Sequence, residues 1–304
     1  MRPSLAVCLS DWPVLHSFTR KKIFSQSHSP QPGLTIWRNP LKRTLHRYAV
    51  ESFIVLTLGL TFAAYLLPLP SESKPILFPL LLTFIPALVA TGLAAVAGGG
   101  ALKALYGSLR VGKPGWLGIA VLVGAGMQAA ITILAFLLGY VATVRLVASP
   151  QLVALAFLTP LLALGEELGW RAYALPRLLE NRSRLAASLI TGVPWALVHL
   201  ALFLPGMMFV GRPILAQVAP VALFSILHAW VFIKSGGSVL APTLLHGTFN
   251  FMGAMINSEL GVQAATYLGA IVLVSAAVIL VAAKPALWLN KESLLTGSGQ
   301  PASQ

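Results

Sequence analysis

Acidic side chains are almost missing from this chain. Asp and Glu number eight among 304 residues, against 21 Lys and Arg. Charged residues of either sign make up 10%, where a soluble domain carries about 25%. Such scarcity of charge excludes an ordinary water-soluble globular protein. Cysteine is scarcer still. Cys8 stands alone, which excludes an intrachain disulfide and a cysteine-built metal site. Val7 before it is not small and the apolar stretch around it is short, so no lipid anchor and no cleaved leader are expected there. No internal repeat and no second soluble domain is visible.

What replaces charge is hydrocarbon. Hydrophobic residues make up 57% and the mean hydropathy is +0.82. A helix needs about 20 apolar residues to cross a bilayer core. Eight runs approach that length, at about 51–68, 76–97, 116–141, 151–170, 185–204, 213–233, 238–256 and 262–283. Pro86 and Pro160 interrupt the second and fourth, which membrane helices tolerate because neighbours re-satisfy the freed backbone groups. The expected fold class is all-α, a polytopic membrane protein built as a bundle of about eight transmembrane helices. The expected division is a disordered basic cytoplasmic tail over 1–48, three helices over 49–150, a core of four helices over 151–256, a final helix over 257–289, and a disordered tail over 290–304.

The net charge of +13 does not point to nucleic acid, because its distribution follows the runs. Eight Lys and Arg lie in 1–48. Lys103, Arg110 and Lys113 follow the second run, and Arg171, Arg177, Arg182 and Arg184 follow the fourth. Lys234 follows the sixth; Lys284 and Lys291 follow the eighth. The opposite side carries Lys74, Arg145 and Arg212. This positive-inside asymmetry puts both termini in the cytoplasm of an integral protein, expected in a bacterial plasma membrane. The basic excess meets membrane lipids with anionic headgroups.

An ionisable group at mid-membrane costs roughly 2.5–3.5 kcal/mol to insert, so each such residue needs a partner or a task. The apolar runs contain Glu51, Glu166, Glu167, His199, His228, His246 and Asn250. Glu51, at the edge of the first run among basic residues, reads as interfacial. Glu167 and Arg171 are spaced i, i+4, acid first, which favours a pair on one face. Glu166 points about 100° away and needs another partner. Trp195 and His199 repeat the spacing on the fifth run, as do His246 and Asn250 on the seventh. His246 and Asn250 can both donate to an oxygen. His228, a turn after Ser225, reads as a packed or hydrogen-bonded residue of the bundle.

The segment from about 150 to 256 resembles the CAAX protease and bacteriocin-processing (CPBP) family of intramembrane proteases. Its motif EExxxR matches Glu166-Glu167-x-x-x-Arg171. FxxxH matches Trp195-x-x-x-His199, with tryptophan for phenylalanine. HxxxN matches His246-x-x-x-Asn250. The resemblance implies a bundle of eight membrane helices that hydrolyses a peptide bond, with 151–256 as the catalytic core.

Amide hydrolysis needs an activated water, a stabilised oxyanion and a protonated leaving amine. Glu166 with His199 suits the base, and His246 with Asn250 suits the oxyanion. Glu167 with Arg171 either holds Glu166 in place or shares its role. No metal is required by this reading; zinc is the alternative, with Glu166, His199 and His246 as ligands. The partners are membrane lipids and a peptide or membrane-protein substrate, prenylation included. A non-catalytic immunity or scaffold protein of the same fold is a second reading, and a proton-coupled transporter a third.

Overall fold

The computed structural model describes residues 47–290 except 71, 99, 144–149 and 257–259. The expected tails, 1–46 and 291–304, lie outside the described residues. Every regular element among the described residues is helical. They are α1 (Ala49–Tyr65), α2 (Lys74–Ala97), α3 (Ala101–Gly107), α4 (Gly115–Leu137) and α5 (Pro150–Glu167). A π-helical segment, Leu168–Ala174, leads into α6 (Leu175–Leu179). After α7 (Arg184–Val198) comes a 3₁₀ turn, His199–Phe203, then α8 (Ile214–Lys234), α9 (Leu240–Ile256), α10 (Val262–Ala283) and α11 (Pro285–Leu289).

Each of the eight apolar runs is therefore a helix. Five are long and apolar enough to cross a membrane: Leu77–Ala97, Gly115–Leu137, Arg184–Phe203, Ile214–Lys234 and Val262–Ala283. α1 and α9 are shorter, at 17 residues each. α5 stops being α-helical at Glu167.

Two crossings position the polar residues. The end of α5 and the π-helical segment lie against α2, and α9 lies against both α4 and α5. In a bilayer no hydrophobic force drives helices together, so close approach relies on small residues. A Cβ on Gly165 would sit 2.5 Å from the Thr83 carbonyl oxygen, and one on Gly169 would sit 2.5 Å from Pro86 Cβ. On α9, a Cβ on Gly247 would be 2.8 Å from Pro160 Cα. These glycines flank Glu166, Glu167 and His246. Pro160 lies inside α5, where it removes one intrahelical donor, and α9 packs against it at Gly247.

The core runs through the same region. Phe53 of α1 is fully buried against Trp170, at 5.0 Å between ring centroids, and Tyr173, at 5.4 Å. Ser183 caps α7 by accepting from the Ala186 amide at 3.2 Å, which sets where the helix bearing Trp195 begins.

Candidate active site

The π-helical segment starts one residue after the two glutamates, and all seven of its residues are buried. Single π-turns within α-helices recur at functional sites because they shift the side-chain register. Here Arg171 still reaches back to Glu167, its Nη1 donating to Oε1 at 3.1 Å, with both side chains at 0% exposure. His246, on α9, donates from Nδ1 to the same oxygen at 3.1 Å. One carboxylate oxygen thus ties the end of α5 to the middle of α9.

Glu166 takes the other direction that adjacent helical positions impose. It is half-buried and accepts a hydrogen bond from the Trp195 indole Nε1–H. His199 is half-buried as well. Its Nδ1 donates to the Trp195 carbonyl at 2.7 Å. That carbonyl can only accept, so the neutral ring carries its free lone pair on Nε2. Trp195 is itself 1% exposed. Its ring meets His199 at 5.9 Å, His246 at 5.5 Å and His228 at 5.1 Å between centroids. The Arg171 guanidinium lies 4.1 Å from the indole centroid, a cation–π contact in a desolvated setting.

The structure thus gathers Glu166, Glu167, Arg171, Trp195, His199 and His246. Asn250 is not part of the packed cluster. It lies one turn beyond His246, is exposed, and makes no side-chain hydrogen bond among the described residues. Glu51 is exposed in the first turn of α1. His228 belongs to the cluster more closely than its sequence context suggests. Its Nδ1 donates to the Phe224 carbonyl at 2.9 Å, the bundle hydrogen bond expected of it. Its Nε2, however, faces Glu167 Oε1 at 3.7 Å. Its i, i+4 partner on its own helix is the apolar Phe224, which gives no sign of a carboxylate nearby; only the crossing of α8 with the other helices reveals that contact.

Residues 145–252 match the family model of the type II CAAX prenyl endopeptidase, Rce1-like. That family is one of peptidases, and the matched region contains every polar residue of the cluster. No curated protein matches the chain significantly.

Zinc can be tested against the donor set of this Rce1-like region. The side chains that converge closely enough to share an ion are Glu167, His228 and His246, with ligand atoms within 4.8 Å of one another. Glu166, His199 and His246, the ligands expected from sequence, do not converge in this way among the described residues. The trio that does converge suits a dication poorly. Its one carboxylate already pairs through Oε1 with a buried guanidinium at 3.1 Å, so a metal there, even at the other oxygen, would stand beside a fixed positive charge.

Proposed function

We propose that the chain is an intramembrane endopeptidase that hydrolyses a peptide bond of a membrane-associated or lipidated peptide, using a water activated by Glu166 and His199. The observation that carries this is the division of labour between two adjacent glutamates. Glu167 is sealed at 0% exposure and pinned by Arg171 and His246. Glu166 is half-buried, is oriented by the Trp195 indole, and shares that indole with His199. A base must reach its water, and of the two carboxylates Glu166 is the one with access.

In this reading Glu166, assisted by His199 Nε2, takes a proton from water as the water oxygen adds to the scissile carbonyl. The carbonyl oxygen becomes an oxyanion. Asn250 supplies one donor to that oxygen; His246, whose Nδ1–H is held by Glu167, supplies a second from Nε2 in its doubly protonated form, where both ring nitrogens donate. The abstracted proton passes to the leaving amine as the C–N bond breaks. Glu167 and Arg171 hold His246 and keep a second carboxylate from competing for the proton. No step runs through a metal.

The same reading takes residues 151–256 as the catalytic core within eight membrane-spanning helices, with three helices before it and one after. It sets both termini in the cytoplasm of a bacterial plasma membrane, where the cations meet anionic lipid. The substrate is a peptide tail that the bilayer brings to the cluster, a prenylated C-terminus included.

The test is cleavage of membrane-anchored peptides by protein reconstituted in liposomes. Glu166→Gln, His199→Ala and His246→Ala should each abolish cleavage while the protein remains folded. Wild type that binds peptide like the variants and cuts none would establish a non-catalytic scaffold instead. Substrate-driven proton flux would establish a transporter.

A further inference from the structure

His228 is a buried imidazole to which hydrolysis as proposed gives no task. The ring is at 0% exposure, enclosed by Phe224 at 4.2 Å, Trp195 at 5.1 Å and His246 at 5.4 Å. Its Nδ1–H is spent on the Phe224 carbonyl, so the neutral ring turns the lone pair of Nε2 towards Glu167. Nε2 and Glu167 Oε1 are then two acceptors 3.7 Å apart. Neither can bond the other directly.

Among the described residues, further buried atoms of these contacting side chains lack hydrogen-bond partners. Glu167 Oε2 and His228 Nε2 are acceptors lacking a donor, while Arg171 Nε and Nη2 are donors lacking an acceptor. Buried polar groups are nearly always satisfied, by protein or by ordered water. The mixture selects the ligand by chemistry. A cation is opposed by the two guanidinium donors, and an anion by the carboxylate and the imidazole lone pair. Water donates two hydrogen bonds and accepts two, and a buried water typically makes about three.

We propose that an internal water joins His228 Nε2 to Glu167 Oε2 while accepting from Arg171, making His228 a positioning residue for His246. Glu167 Oε1 holds His246 Nδ1. Tethering Oε2 through the water and His228 fixes the plane of that carboxylate, and with it the angle at which His246 presents Nε2 to the reacting peptide. His228 never touches substrate; it acts through water and Glu167.

The catalytic arm of this inference rests on the endopeptidase reading, whereas the water itself does not. Two kinds of experiment keep them apart. In liposome cleavage, His228→Leu should lower kcat about 10–100-fold, the factor expected for one hydrogen bond to a charged group, with KM nearly unchanged. His228→Gln, whose amide reaches the position of Nε2, should restore most of that loss. Independently of activity, a structure at a resolution that places ordered water should show a peak within hydrogen-bond distance of Glu167 Oε2, His228 Nε2 and Arg171. The stability effects of His228→Leu and Glu167→Gln should also be non-additive. His228→Leu with wild-type kcat, equal impairment by His228→Leu and His228→Gln, additive stability effects, or stoichiometric zinc at Glu167, His228 and His246 would each overturn the proposal. If the wild type cuts nothing, the peptidase reading fails while the density and the stability cycle still decide the water.

Discussion

Removing Arg171 tests whether the sealed carboxylate depends on its guanidinium. Arg171→Met keeps much of the side-chain volume and deletes the charge. It removes the 3.1 Å hydrogen bond to Glu167, worth about 1.5–3 kcal/mol when a charged group is involved. It also removes the contact with the Trp195 ring at 4.1 Å, worth about 2 kcal/mol when desolvated. Both side chains are at 0% exposure, so no solvent can replace the lost partner. The expected destabilisation is about 3–5 kcal/mol, the range for breaking one side of a buried pair.

The double variant Glu167→Gln/Arg171→Met removes both charges, and the Gln carbonyl can still accept from His246. It should be more stable than Arg171→Met by about 2 kcal/mol, since replacing a whole buried pair is often nearly neutral. Reversible unfolding in mixed detergent micelles, followed by tryptophan fluorescence, gives both numbers. A single variant within about 1 kcal/mol of wild type, or a double variant no better than Arg171→Met, would refute the reasoning.

Four further outcomes are expected. Glu166→Gln should lower the cleavage rate by about 10²–10⁴-fold, as loss of a general base does, with little change in the unfolding midpoint because Glu166 is half-buried. Trp195→Phe keeps the aromatic packing and removes the indole N–H from Glu166; peptide cleavage should fall about 10–100-fold, read in the same liposome assay. Gly165→Ala puts a methyl 2.5 Å from the Thr83 carbonyl oxygen and should cost about 1–3 kcal/mol in unfolding experiments, as overpacking does. Cleavage should survive extended treatment with a chelator, because a fixed guanidinium paired with Glu167 opposes a dication beside it; loss of activity restored by zinc would contradict this.

Much of the architecture was legible locally. Eight apolar runs became eight helices, because the bilayer demands internal satisfaction of every backbone group and run length reports it. The pairing of Glu167 with Arg171 and of His199 with Trp195 was legible too, since each spans one helical turn. The π-helical segment after Glu167 was not, for its wider turn is selected by packing against α1 and α2. Nor was the exposure of Asn250, which shares the spacing of His246 but not its burial. Zinc ligands expected at Glu166, His199 and His246 do not converge as a set, because Trp195 lies among them and holds Glu166 to itself.

By itself, then, the amino-acid order determined which segments are helices, which side chains are too polar for hydrocarbon, and which neighbours share a helical face. These are properties of one helix at a time. Only the tertiary structure decided which of two adjacent glutamates is sealed and which is open, and that His228 stands with the sealed one. Those outcomes depend on where α8 meets the π-helical segment and where α9 crosses α5, and the crossing of α9 with α5 is set by close packing at Gly247 against Pro160, far apart in the chain.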